Sequence, residues 1–157
     1  EKEEKLREQE KERRLEQRQL AKERIPVIAK SLLECKQGSV TVDDITMELA
    51  ESGKANFCYS TSDNYDDVFH IGLGETLCKT DPKLVYCGLF EQGEKVRVIV
   101  YAGEDISKEK SAGEIVKSIS QILGGAGGGS PKFAQGGGTD KSKKEDAIKN
   151  AKSMIIQ

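Results

Sequence analysis

Apolar residues are sparse in the first 24 positions of the chain. Residues 1–24 are almost all Glu, Lys, Arg, Gln or Leu, which are strong helix formers. Opposite charges also recur four residues apart, as in Glu1 and Lys5, and such pairs stabilise a helix. The few leucines are too scattered for a coiled-coil seam. The pattern predicts one long, solvated helix that bridges two domains.

Apolar residues become denser between residues 25 and 53. Pro26 predicts a break or a kink, because it lacks an N–H and clashes with the preceding turn, or else the first turn of a new helix. A second short helix is predicted between a cap at Thr41 or Asp43 and a stop at Gly53. Two such helices leave an apolar stripe that needs a partner, either the rest of this chain or a second copy. We expect self-association through six residues of this arm: Val27, Ile28, Leu32, Leu33, Ile45 and Leu49.

From residue 54 onward, strand-like and helix-like segments alternate. The predicted strands span residues 56–61, 84–90 and 96–101, and the predicted helices span residues 63–80, 112–123 and 143–156. This order indicates an α/β domain with a small mixed β-sheet flanked by helices. We therefore expect a helical linker and dimerisation arm over residues 1–53 and a globular domain over residues 54–157.

Residues 124–140 contain eight of the sixteen glycines in the chain. Dense glycine is typical of a flexible linker, or of a loop whose bare N–H groups approach a ligand. The apolar Phe133 between two groups of glycines favours the structured loop. The run lacks the Gly-Lys-Ser/Thr of a phosphate-binding P-loop, and it follows a helix, unlike a dinucleotide fingerprint. We expect a backbone nest with positive φ angles, close to a helix N-terminus that also favours phosphate.

The net charge of −2 conceals an uneven distribution. Residues 54–105 contain five basic and nine acidic residues, whereas residues 106–157 contain nine lysines and five acidic residues. The basic half is the one that holds the glycine-rich run. This distribution indicates a local anion site and not a uniformly basic nucleic-acid-binding protein.

A sugar–phosphate backbone is the ligand that this pattern favours. Phe133 either stacks on a base or sugar or anchors the loop in the core. Lysines at a helix N-terminus oppose the helix dipole, so those at the start of the last helix favour a functional role. The candidate contacts are Gly127, Gly128, Gly129, Lys132, Phe133, Gln135, Gly136, Gly137, Gly138, Lys141, Lys143 and Lys144.

The sequence predicts neither a catalytic centre nor a metal or cofactor site. The four cysteines lack the short paired spacing of zinc ligands, and we expect buried free thiols. The only histidine, His70, is expected on the surface or packed against a helix. There is no signal peptide and no apolar run long enough to cross a membrane, which indicates a cytoplasmic protein. Because the chain begins at Glu1 and not at Met, we expect a piece of a longer protein.

Two segments carry a resemblance to a known family. They are Ser111-Ala112-Gly113-Glu114-Ile115-Val116-Lys117 and, after the first glycines, Ala134-Gln135-Gly136-Gly137-Gly138. Together they resemble the signature of the DHH-associated domain, which ends alanyl-tRNA synthetases and also follows the catalytic domain of DHH phosphoesterases. The sequence departs from that signature at Ala126, where the family often has a basic residue that contacts phosphate.

The resemblance implies a non-catalytic C-terminal domain of an archaeal-type alanyl-tRNA synthetase. Such a domain contacts the elbow of tRNA(Ala), where the D and T loops meet, and supports aminoacylation and editing by upstream domains of the same chain. Synthetases of this type dimerise through a helical arm. The alternatives are the nucleic-acid-binding domain of a DHH phosphoesterase and a pure dimerisation module. The long charged helix favours the synthetase, because these phosphoesterases usually have a short linker.

Overall fold

The computed structural model describes residues 1–156, which form a mixed β-sheet with helices on both faces. The helices are α1 (Lys2–Leu33), α2 (Asp67–Thr80), α3 (Ala112–Ile122) and α4 (Lys144–Ile155). The strands are β1 (Ser39–Val42), β2 (Ile45–Leu49), β3 (Asn56–Ser60), β4 (Leu84–Gln92), β5 (Lys95–Ala102), β6 (Ala126–Gly129) and β7 (Phe133–Gly138). Their order is β1-β2-β3-β4-β5-β7-β6, with β3 and β4 parallel and the other neighbours antiparallel. The predicted α/β class, with a small mixed sheet after a long charged helix, is confirmed.

Helix α1 continues through Pro26, so the helix neither breaks nor restarts there, contrary to two of the three predictions. Its last turns bury Ile28 and Leu32 completely, in a cluster with residues of α2 and the sheet. Burying a side chain of this size stabilises a fold by about 1.5–3 kcal/mol. Two of them offset the ~3 kcal/mol that a proline inside a helix costs. Tertiary packing therefore overrides the local preference of Pro26.

The predicted second short helix is a β-hairpin instead. Strands β1 and β2 pair with Val42 opposite Ile45, which leaves Asp43 and Asp44 as a two-residue turn. Both aspartates have positive φ angles, 48° and 66°, as a type I′ hairpin turn requires. Ile45 and Met47 are buried while the residue between them is not. This period of two is that of a strand, and the sequence analysis missed it because Asp43 is equally suited to cap a helix.

The sheet separates two apolar clusters. Strand β5 shows the division, since Val96, Val98 and Val100 belong to the cluster formed with α3 and α4. Tyr101 packs against the other cluster, formed with α1 and α2. Because side chains alternate along a strand, Arg97 also points to the α1 and α2 side. This alternation determines which side chains each strand places on the α3 and α4 side of the sheet and which on the α1 and α2 side.

The apolar stripe of the predicted arm finds most of its partners within the same chain. Ile28, Leu32 and Ile45 are fully buried, whereas Val27 is 55% exposed. The predicted domain boundary after residue 53 falls between β2 and β3, which are paired neighbours in the sheet. Self-association and the boundary itself stay predictions.

We expect Leu32→Ala to lower the free energy of unfolding by about 2–5 kcal/mol, since it empties a closed site. Val27→Ala, on the same helix but exposed, changes it by less than about 0.5 kcal/mol. Urea unfolding followed by circular dichroism measures both. Equal effects for the two variants would show that the end of α1 does not dock on the domain.

Candidate functional site

The glycine-rich run forms an antiparallel hairpin at the edge of the sheet. Within β6 and β7, Gly128 lies opposite Gln135 and Ala126 lies opposite Gly137, and β7 pairs in turn with β5. The prediction that the run is structured is confirmed. The predicted nest of positive φ angles is wrong, because among the described residues of the run only Gly124 has one.

Helix α3 lies directly on the backbone of this hairpin. A Cβ atom on Gly136 would clash with the Ser120 hydroxyl and lie 2.8 Å from Val116 Cγ1. A Cβ atom on Gly127 would lie 2.6 Å from Gly136 Cα. These glycines therefore allow the helix and the strands to approach closely. On the sequence alone these glycines are candidate ligand contacts, whereas in the structure the packing against α3 already requires them.

The tip of the hairpin is joined to the first turn of α3. The N–H of Ala112 donates to Pro131 O at 2.8 Å, and the N–H of Gly113 donates to Ser130 O at 3.2 Å. Ser111 caps the helix by accepting a hydrogen bond from the next free N–H. The N–H groups that a helix leaves unpaired at its start are thus satisfied within the chain. The two segments of the family signature therefore form one structural unit.

One face of the hairpin is open to solvent. The strand register places Phe133 beside Tyr101, and Gln135 beside Gly128, on the face that points away from α3. Gln135 is exposed, and the nearest atom to a Cβ built on Gly128 is Lys117 Cε at 4.0 Å. The rings of Phe133 and Tyr101 are half-buried, with centroids 4.6 Å apart. Phe133 is therefore both packed on the sheet and accessible at this face.

The four predicted lysines do not come together at one site. Lys132 precedes β7, and the group Lys141–Lys144 follows it, at the other end of six extended residues, a span of about 20 Å. Lys132 forms an ion pair with Glu104. Lys143 pairs with Asp146 at 3.6 Å.

The other two lysines are held by Glu91 of β4 and by Asp63 of the segment between β3 and α2. Lys144 Nζ lies 2.8 Å from Glu91 Oε2 and 3.5 Å from Asp63 Oδ1. Lys141 Nζ lies 3.3 Å from Glu91 Oε1 and donates to a backbone carbonyl at 2.8 Å. The hydrogen bond from Lys144 is the main cause that lowers the pKa of Glu91 to about 2. The positive charge at this end of β7 is therefore largely compensated within the chain.

Arg97 is a candidate that the sequence analysis missed. It lies on β5 and donates to Gln135 Oε1 at 2.8 Å, which brings its guanidinium to the open face of the hairpin. Its acidic neighbour is Asp67, at 3.8 Å, and Arg14 shares that carboxylate at the same distance. Two guanidinium groups thus face one carboxylate. The only sequence feature that could have indicated Arg97 is that it is the single charged residue inside an otherwise apolar predicted strand.

His70 has the helix-packing role that was one of its two expected positions. It is fully buried, and its Nδ1 lies 2.6 Å from the Tyr86 hydroxyl. Burial lowers the pKa of His70 to about 4, so the ring is neutral near pH 7. The four cysteines are free, as expected, but only Cys58 and Cys87 are fully buried, whereas Cys35 and Cys78 are partly exposed. Within residues 1–156, no cluster of three potential metal-ligating side chains occurs, and no helix is both long and apolar enough to span a bilayer.

Sequence comparison links the chain to one family. The model of the DHHA1 domain family matches residues 54–157. The alanine–tRNA ligase of Nitrosopumilus maritimus is 45% identical over 136 residues, which is 87% of this chain and 14% of that protein. That of Cenarchaeum symbiosum is 40% identical over 110 residues, 70% of this chain and 12% of that protein. The chain thus spans only a small part of the length of these relatives.

Two solved structures share the fold. The C-Ala domain from Aquifex aeolicus alanyl-tRNA synthetase superimposes with a TM-score of 0.62 at 23% identity, over 70% of this chain and 96% of that one. A DHH-domain protein described as a member of the s1p family of ribosomal proteins superimposes with a TM-score of 0.50 at 15% identity, over 87% of this chain and 31% of that one.

We expect Gly136→Ala to lower the free energy of unfolding by about 1–3 kcal/mol, because the new methyl group meets α3. Gly128→Ala is the matched control, since nothing lies closer than 4.0 Å to its Cβ position. It should leave stability unchanged or raise it slightly. Thermal and urea unfolding measure both changes. Equal stabilities for the two variants would contradict the close approach of α3 to the hairpin.

Proposed function

We propose that this chain, which belongs to the DHHA1 domain family, is the C-terminal part of an alanine–tRNA ligase and binds tRNA(Ala). The observation that carries the proposal is that relatives matching most of the chain are alanine–tRNA ligases. The family match over residues 54–157 includes the whole glycine-rich hairpin. The proposed role is non-catalytic: the domain holds the tRNA while upstream domains aminoacylate and edit it.

The hairpin is the proposed contact surface, with Phe133, Gln135 and the glycine backbone at its centre. The four lysines predicted from the sequence border this surface near the two ends of β7, where each has an acidic partner: Lys132, Lys141, Lys143 and Lys144. A folded RNA is bound mainly through its phosphates, 2′-hydroxyl groups and shape. The elbow of tRNA(Ala) offers all three in a fixed arrangement.

Helix α1 is the proposed connection to the upstream domains. Residues 1–12 of the chain are exposed along their whole length, as suits a helix that crosses solvent between domains. Farther along, Arg13 forms an ion pair with Asp66 at the start of α2. This contact fixes the direction in which α1 leaves the domain. The proposed setting is the cytoplasm, where tRNA is charged.

A DHH phosphoesterase is the alternative origin of the domain, and the fold shared with a DHH-domain protein supports it. The two proposals differ in ligand. A phosphoesterase domain binds short oligonucleotides as well as it binds tRNA, whereas the ligase domain prefers a folded elbow.

We also propose self-association through the end of α1. Val27 is exposed, and the half-buried Leu33 and Leu49 line a cleft of about 1200 Å³ beside the β1–β2 hairpin.

We expect Val27→Glu to shift the chain from dimer to monomer in sedimentation equilibrium. Gln9→Glu adds the same charge at the exposed start of α1 and should have no such effect. A wild-type chain that remains monomeric at high concentration would refute self-association.

We expect the chain to bind intact tRNA(Ala) more tightly than a tRNA whose D and T loops no longer pair. Fluorescence titration at about 50 and 200 mM salt should show affinity falling about tenfold, as two to three phosphate contacts require. Circular dichroism verifies that the protein is folded under both conditions. Equal affinity for short oligonucleotides and tRNA would favour the phosphoesterase alternative. Absence of any binding to intact tRNA would refute the proposed function.

A further inference from the structure

We infer that RNA docks on the open face of the β6–β7 hairpin, with Arg97 and Lys117 as its phosphate-binding cations, and that the lysines at the ends of β7 are structural. This inference rests on the proposed function and makes it specific. The open hairpin face consists of the residues that point away from α3: Ala126, Gly128, Phe133, Gln135 and Gly137.

Gly128 is the first observation that favours a ligand on this face. The other glycines of the hairpin region have either a positive φ angle or a Cβ position within 3 Å of another atom. Gly128 has neither, since its nearest neighbour is Lys117 Cε at 4.0 Å. The fold therefore does not require glycine at this position. A side chain would, however, separate an incoming phosphate from the strand backbone.

The second observation is the position of Lys117. It is exposed on α3, and its neighbour Val116 contacts the opposite face of β6, beneath Gly127. Because β6 is the edge strand, Lys117 reaches the open hairpin face by passing around that edge. Within residues 1–156 it forms no ion pair, unlike the four lysines predicted from the sequence. Its full charge is thus available to a ligand.

Arg97 lies across the open hairpin face from Lys117. It is two strands away from β6, a distance of about 10 Å. The register aligns Arg97 with Gly137 and Ala126 across the sheet, and Gln135, which lies opposite Gly128, accepts a hydrogen bond from Arg97 between the two cations. A guanidinium has five N–H donors. Those of Arg97 are shared between Gln135, Gln92 and a carboxylate at 3.8 Å, which leaves capacity for a phosphate.

The aromatic pair completes the surface. Tyr101 and Phe133 lie side by side on the open hairpin face, four residues along the strands from Arg97 and Gly137. Both are half-buried, so each ring is fixed by packing while part of it remains accessible. Aromatic rings of this kind stack on bases or riboses of RNA. The open hairpin face therefore combines two cations, a backbone without side chains at Gly128 and Gly137, and a stacking platform, which together are complementary to a strand of RNA.

The test is a titration of the full chain with tRNA(Ala) at two salt concentrations. Arg97→Gln and Lys117→Gln should each weaken binding about fivefold or more and lower the salt dependence by one phosphate contact. The matched control is the double variant Lys141→Gln, Lys143→Gln, which removes two paired lysines and should weaken binding less than about twofold. Phe133→Leu should weaken binding without changing its salt dependence.

A further variant tests the face without altering its cations. Gly128→Glu places a carboxylate where the fold leaves space and should abolish binding, whereas Gly128→Ala should weaken it only slightly. Unfolding curves verify that each variant is as stable as the wild type. If the Lys141 and Lys143 variant loses binding while Arg97→Gln and Lys117→Gln retain it, the inference is wrong and the proposed function stands. If the wild type does not bind tRNA, the proposed function is wrong, and the inference that rests on it is wrong as well.

Discussion

The close contact between α3 and the β6–β7 hairpin is the constraint on which this end of the molecule depends. Val116 and Ser120 lie so near the backbone of Gly127 and Gly136 that neither position can carry a side chain toward the helix. The same contact fixes the hairpin as the last two strands of the sheet and ties its tip to the first turn of α3. The opposite face, which α3 does not cover, consists of the residues that alternate with these: Ala126, Gly128, Phe133, Gln135 and Gly137.

A second set of interactions sets the direction of α1. Its last turns bury Ile28 and Leu32, and its middle forms ion pairs with Asp66 and Asp67 at the start of α2. Carboxylates at a helix N-terminus are themselves favourable, so these pairs are formed with groups that stabilise α2. Asp67 also faces Arg97 of the sheet at 3.8 Å. The long helix and the open hairpin face are thus linked through one carboxylate.

The sequence predicted the elements that have a strong period and missed those in which two patterns compete. The helices over residues 112–123 and 143–156 and the strands around Cys87 and Val98 agree with the structure to within a few residues. The β1–β2 hairpin was missed because Asp43 serves a helix cap and a type I′ turn equally well. Glycines have no side chain to pattern, so the sequence could not distinguish packing against α3 from contact with a ligand.

The candidate site was harder to predict, because lysines close together in sequence have partners that are distant in sequence. Lysines at the start of α4 oppose its dipole, which had favoured a functional role for them. In the structure, Glu91 of β4 compensates Lys144, whose side chain is only 17% exposed, and the pair joins α4 to the sheet. The unfavourable position therefore has a structural explanation. Lys117 of α3 and Arg97 of β5 are separated in sequence and belong to different elements, and only the folded chain brings them to the same hairpin, so no local sequence pattern could single them out.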